Sequence, residues 1–233
     1  MTGAPERGFF ITHPGFFLTF EGLDGSGKTT QIRKLAAWLT QQNLPHTLTR
    51  QPGGTPTGDR IRNLLLDSKS SGLAPRTELA MMFADRAQTI QEVIEPALAS
   101  GQVVVCDRFT DSTEAYQGGG RELGSEVVLQ LHQLICGNLQ PDLTILLLPD
   151  LEASLARARR RNARVADSAT GPDEGRFEQE KDAFFARVYS KFQEIAAREP
   201  VRVVQINGDL TIEQVHTQVI TAIESRLKWP IRP

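Results

Sequence analysis

The apolar run Phe16–Phe20 ends in Glu21, then GLDGSGKT follows at 22–29 and the helix-compatible KTTQIRKLAAWL begins at Lys28. Gly22, Gly27, Lys28 and Thr29 fit the spacing G-x-x-x-x-G-K-[ST], a loop that wraps phosphates with backbone N–H groups at the positive end of a helix. No other stretch constrains the fold as strongly, because such a loop belongs between a buried strand and the helix that follows it. The rest of the chain supplies matching parts. Apolar, β-rich runs occur at FFLTFEG, HTLTR, QVVVCDRF, DLTILLLPD and VRVVQIN. Helical spacing appears at 28–42, 57–67, 76–99, 124–137, 151–161, 177–198 and 211–227. Strands alternating with helices predict an α/β fold: a parallel sheet with helices on both faces. The near-continuous apolar character of 103–105 and 143–148 predicts strands buried on both sides.

A chain of 233 residues suits one α/β domain, or at most two small ones, with a core that needs no disulfide staples. Cys106 and Cys136 could form one disulfide at most, and Cys106, in the apolar QVVVC run, reads as a reduced buried thiol, which points to a reducing cytoplasm. A net charge of −2 and a pI of about 6.1 provide no basic footprint for nucleic acid. No apolar run approaches the roughly 18 residues of a membrane span. The first fifteen residues, MTGAPERGFFITHPG, are punctuated by Gly and Pro and read as a loose tail, which leaves 16–229 as the domain. Two stretches interrupt the alternation. QPGGTPTGD at 51–59 is a Gly/Pro turn, and RNARVADSATGPDEGR at 161–176 is polar with few apolar anchors. Long polar stretches in compact domains are functional or disordered; residues 165–175 taken alone read as a solvated insertion.

The loop chemistry assigns roles. Lys28 would reach the β- and γ-phosphates of a nucleoside triphosphate, and the Thr29 hydroxyl would join the shell of a Mg²⁺ ion. Asp107, closing VVVCD, is the candidate second metal carboxylate from a neighbouring strand end. Arg108 follows it, where many ATPases carry a second carboxylate for activating water, and so suits anchoring a phosphorylated acceptor. No N-K-x-D guanine-reading element occurs. Asp24 is a carboxylate inside an anion-binding loop and needs a separate explanation.

Six segments together resemble the bacterial thymidylate kinases: EGLDGSGKTTQ at 21–31, TRQPGGT at 49–55, ADRAQ at 84–88, DRFTDSTEAYQGGGR at 107–121, PDLTILLL at 141–148 and RARRR at 157–161. The resemblance runs in order over nearly the whole chain from residue 16. It implies a three-layer P-loop NTPase fold with a five-stranded parallel sheet, transfer of the ATP γ-phosphate to dTMP with Mg²⁺, and a homodimer. ATP would lie on Gly22, Leu23, Asp24, Gly25, Ser26, Gly27, Lys28 and Thr29. Asp24 would also point towards the sugar 3′-hydroxyl of the acceptor, where an acceptor-only carboxylate meets a donor. Arg108 would bridge the acceptor phosphate and the transferring group, with Arg62 as a further acceptor-phosphate ligand. Arg86 would bond the thymine carbonyl, Thr113 would reach the base edge, Tyr116 would crowd the sugar 2′ position, and Gln117 would contact the nucleotide.

Two departures stand out. Gln51 replaces the glutamate of the usual REPGGT, so a charge pairing expected there is lost. The base-stacking phenylalanine usually lies four residues before the arginine; here Met82 holds that place and Phe83 is one late, and both lie near Arg86 on a helix. Gly25 brings no charge to the phosphate loop, so the resemblance implies a transition-state arginine from a lid at about 157–176. Arg157, Arg159 and Arg161 are the candidates, Arg157 and Arg161 foremost, while Arg160 and Arg164 read as a solvated helix end. A deoxynucleoside kinase and a P-loop regulatory ATPase are the rival functions.

Overall fold

The computed structural model describes residues 14–70, 72–157 and 176–227. Strands β1 (Phe16–Glu21), β2 (His46–Arg50), β3 (Val103–Asp107), β4 (Leu143–Leu147) and β5 (Val203–Ile206) pair in the order β2-β3-β1-β4-β5. Every pairing is parallel, as the strand–helix alternation predicts. The helices are α1 (Lys28–Gln41), α2 (Pro56–Leu66), α3 (Pro75–Thr89), α4 (Glu95–Ala99), α5 (Thr110–Thr113), α6 (Ser125–Cys136), α7 (151–157), α8 (Asp182–Arg198) and α9 (Ile212–Glu224).

Side-chain alternation along the strands feeds two packed faces. Phe16, Leu18 and Phe20 of β1 point with Val103, Val105, Leu143 and Ile145 towards Leu35 and Leu39 of α1 and Val215, Val219 and Ile223 of α9. Phe17, Val104 and Cys106 face the other way, against Leu79 and Phe83 of α3, Leu98 of α4 and Val128 of α6. On that second face, Leu146 and Val203 meet Phe184, Val188, Phe192 and Ile195 of α8. The central strands β1 and β4 are buried throughout, whereas the edge strand β2 is not. Cys106 and Cys136 are both buried free thiols of this core.

The helical stretch 110–120 escapes the apolar-periodicity reading. Three consecutive glycines, Gly118 to Gly120, are poor helix formers, and their low propensity hides the element. In the fold α5 runs on through a wide π-helical stretch, Glu114–Gly120, pressed against α8. A Cβ on Gly120 would lie 2.5 and 2.7 Å from the Phe184 ring and 2.9 Å from Val188, so close approach, and not flexibility, requires the glycine. Gly120→Ala is therefore expected to cost roughly 1–3 kcal/mol of stability through overpacking. A reduced thermal denaturation midpoint checks this; an unchanged midpoint would mean that α8 yields freely. A second π-helical turn, Ile90–Ile94, joins α3 to α4 just before Pro96, whose missing N–H cannot continue the regular bonding.

β1 and β3 are neighbours whose onward connections leave in opposite directions, to β2 at one edge and to β4 across the sheet. Ligands of parallel α/β sheets bind beyond the carboxyl ends of the strands at such a switch point. Both the phosphate loop after β1 and the Asp107–Arg108 corner after β3 open there.

Candidate active site

The loop 22–27 turns through glycines at φ values that side chains resist, including Gly22 at 131° and Gly27 at 99°. A Cβ on Gly22 would sit 2.2 Å from the Leu147 carbonyl oxygen, so the loop lies tight against the end of β4. Gly27 caps α1, and no acidic side chain stands in that helix's first turn to oppose an anion. Lys28 folds back over the loop, its Nζ donating to the carbonyls of Gly22 at 3.0 Å and Leu23 at 2.9 Å. Burial pushes its pKa down to about 8, reinforced by the Arg108 charge and opposed by Asp107, Asp24 and Glu21. The desolvated cation lies where a polyphosphate would stabilise it.

Arg108 is the joint of the site. Its backbone adopts the left-handed region at φ 71°, which costs roughly 1–3 kcal/mol for a residue with a side chain. From there Nη1 donates to the Gly22 carbonyl at 2.9 Å and to Ser112 Oγ at 3.0 Å, and Nη2 donates to Asp24 Oδ1 at 2.7 Å. The guanidinium also lies over the Tyr116 ring, 5.1 Å from its centroid. The loop carboxylate therefore pairs with the arginine of the β3 corner, which offsets the repulsion it would exert on phosphates. Asp107 ends β3 with a buried Oδ1 that has no hydrogen-bond partner, and Thr29 stands exposed in the first turn of α1. An orphaned carboxylate oxygen and a hydroxyl are the hard oxygen donors that Mg²⁺ takes, so these residues fit the ion.

The expected base-reading residues come together on the second face. Arg86 is buried; its Nε donates to Gln51 Oε1 at 2.8 Å and its Nη2 to Thr113 Oγ1 at 2.7 Å, and its Nη1 is buried without a partner. Gln51 thus replaces a charged contact by a neutral one, and burial pulls the Arg86 pKa down. Met82 and Phe83 are separated by the fold. Phe83 is wholly buried in the cluster with Phe17 and Phe109, 4.9 Å from the Arg86 guanidinium. Met82 belongs instead to the cluster that holds Leu23 and Tyr116, on the side of the phosphate loop. Tyr116 is itself partly core, edge-on to Phe177, Phe184 and Phe192.

Gln117 gives its Nε2 to Glu78 at 2.7 Å, and Arg62 gives Nη1 to the Pro52 carbonyl at 2.9 Å. Arg157 reaches the phosphate loop: its Nε donates to the Gly25 carbonyl at 3.1 Å, beside the loop position that lacks a charge of its own. Arg159, Arg160, Arg161 and Arg164 lie outside the described residues.

Several partners escaped the motif reading. Buried Glu78 on α3 gathers Gln117, Arg121 and Arg176, and Arg176 also donates to the Leu65 carbonyl at 2.8 Å. Asp85 accepts from the Gly53 N–H at 2.8 Å and so fixes the turn that carries Gln51; burial pushes its carboxyl up to about 6. Glu21 carried a signal that could have been read: it is a charged residue ending a strand that is apolar but for Thr19.

A P-loop and a basic corner brought together at the switch point of a parallel sheet define a P-loop phosphotransferase. Comparison with known proteins narrows this class. The thymidylate kinase family model matches residues 20–219, and the chain belongs to that family. It is 46% identical over 215 residues to the thymidylate kinase of Trichlorobacter lovleyi, covering 92% of this chain and all 100% of that protein. It is 45% identical over 213 residues to that of Geobacter sulfurreducens, covering 91% and 98%. A crystal structure of thymidylate kinase from Ehrlichia chaffeensis superposes with a TM-score of 0.70 at 34% identity, covering 90% of this chain and 98% of that one.

Proposed function

We infer that this chain transfers the γ-phosphoryl group of ATP to dTMP, giving dTDP and ADP and so feeding dTTP synthesis. The carrying observation is Arg108, whose one guanidinium touches the phosphate loop at Gly22 and the acceptor-side residues Asp24 and Tyr116. A group so placed can hold two phosphates in line, and phosphoryl transfer depends mainly on positioning and charge neutralisation. The acceptor phosphate is already an anionic nucleophile, so the reaction needs no strong general base. Lys28 neutralises the β- and γ-phosphates, and Arg108 orients the acceptor phosphate with help from Arg62. Thr29 and Asp107 would hold Mg²⁺, which supplies further charge neutralisation on the ATP phosphates. Asp24 meets the sugar 3′-hydroxyl, Arg86 and Thr113 read the base edge, Met82 covers the base, and Gln117 lines the same pocket. Arg157 delivers positive charge to the phosphate loop at Gly25; Arg161 and the rest of the lid expected at about 157–176 lie outside the described residues.

Direct comparison of acceptors tests the reading. Thymidine monophosphate should be phosphorylated far better than thymidine; the reverse order would favour a deoxynucleoside kinase. Rapid ATP hydrolysis that no acceptor enhances would favour a regulatory ATPase instead.

The Tyr116 ring predicts a preference for deoxyribose, because a 2′-hydroxyl buried against it without a partner costs roughly 1–3 kcal/mol. Tyr116→Ala should narrow the ratio of deoxy to ribo activity. The ratio is internal to one folded protein, so it is insensitive to the core packing that this substitution also removes. An unchanged ratio would free Tyr116 from that role.

Two broader features complete the proposal. Val127, Leu134 and Ile135 are exposed on α6 with half-buried Leu131 between them, an apolar stripe at helical spacing that supports a homodimer. Among the described residues no helix is long and apolar enough to cross a membrane. The buried free thiols and the nucleotide substrates fit a cytoplasmic enzyme without a nucleic-acid partner.

A further inference from the structure

Glu21 is a buried carboxylate that the reaction does not itself require. Burial, with the nearby Asp111 charge, pushes its carboxyl up to about 7, so its charge opposes folding. Its two oxygens grip the chain on the far side of Arg108. Oε1 accepts the Phe109 N–H at 2.7 Å, fixing the peptide that follows the left-handed Arg108 backbone. Oε2 accepts the Ser112 hydroxyl, and Ser112 Oγ accepts from Arg108 Nη1 at 3.0 Å. A serine hydroxyl has a single proton. Once that proton is given to Glu21, only lone pairs remain for Arg108, so the direction of the whole chain, guanidinium to hydroxyl to carboxylate, is set by the glutamate.

We propose that Glu21 is a positioning residue for phosphoryl transfer, holding the backbone and guanidinium of Arg108 through the Phe109 amide and the Ser112 hydroxyl. The proposal rests on the reading of Arg108 as the acceptor-phosphate ligand. Glu21→Gln keeps the shape and still accepts the Phe109 N–H, but its amide must donate to Ser112. The hydroxyl proton is then turned towards a cation. Ser112→Ala removes the relay and leaves Glu21 in place.

The test is steady-state kinetics with ATP and dTMP on the full chain, with Arg108→Lys as reference. Glu21→Gln and Ser112→Ala are each expected to lower kcat/KM for dTMP by roughly 10- to 100-fold, with KM for ATP changed less than about twofold. On the Arg108→Lys background, Glu21→Gln should cost less than about twofold more, because both changes disable one contact chain. A residue that merely caps α5 would lower the melting temperature and leave these kinetic terms in place. Parental kcat/KM in folded Ser112→Ala would overturn the proposal, as would a full Glu21→Gln loss that persists on the Arg108→Lys background. Should Glu21→Gln fail to fold, Ser112→Ala decides alone. Near-parental Arg108→Lys would instead show that the Arg108 reading had failed; impaired Arg108→Lys beside normal Glu21→Gln and Ser112→Ala would sink only the Glu21 role.

Discussion

Lys28→Met is expected to lose turnover on the order of 10³-fold while making the protein harder to melt. The kinetic half follows from position: Lys28 is the cation of the phosphate loop, its Nζ already turned inward onto the Gly22 and Leu23 carbonyls. The stability half follows from burial. A lysine whose pKa falls from 10.5 unfolded to about 8 folded is penalised in its charged form by the protein. At about 1.4 kcal/mol per pH unit, that penalty reaches roughly 3 kcal/mol, an upper bound because methionine leaves two carbonyls without their donor. The sign is fixed by linkage. The penalty is full below pH 8, fades as the folded-state lysine loses its proton between 8 and 10.5, and is absent above. Melting curves should therefore show the variant ahead at pH 7 and the gap closing towards pH 10. Activity within about tenfold of the parent would remove Lys28 from the phosphate site.

Arg108→Ala carries the second large effect. It removes at once the donors to Gly22, Ser112 and Asp24 and the cation over Tyr116. Guanidinium groups acting on a transferring phosphoryl are worth roughly 10³-fold or more, and a loss of that order in turnover is expected, with dTMP affinity falling more than ATP affinity. Arg108→Gly should be as inactive but better folded than the alanine variant, since glycine tolerates the backbone at φ 71°. A loss confined to ATP affinity, with dTMP affinity unchanged, would place Arg108 on the ATP side alone.

What the sequence made legible and what it hid follow a physical line. The phosphate loop, the strand ends and the Asp107–Arg108 corner were readable because each is local: spacing and hydrophobic pattern determine them. The Met82 or Phe83 choice was not, because positions three and four residues before Arg86 share nearly the same helix face. The sheet separates the two, burying Phe83 against Phe17 and Phe109. The helical run through Gly118–Gly120 was hidden because Gly119 and Gly120 answer to α8, more than sixty residues away. Arg176 read as part of a polar insertion, yet it is buried on Glu78, 98 residues earlier. Long-range ion pairs of this kind leave no trace in local pattern. Asp24 lies between these cases: its loop position was plain, and its pairing with Arg108 appeared only when β1 and β3 were laid side by side.

The anion loop and the β3 corner are expected to serve one transfer between two nucleotides. The most direct measurement follows the γ-phosphate of labelled ATP in the presence of dTMP, dUMP, dCMP, dAMP or dGMP in turn. Label is expected in dTDP, with dTMP the preferred acceptor and little inorganic phosphate released when no acceptor is present. Label appearing mainly as inorganic phosphate irrespective of acceptor, or a purine monophosphate preferred over dTMP, would contradict it.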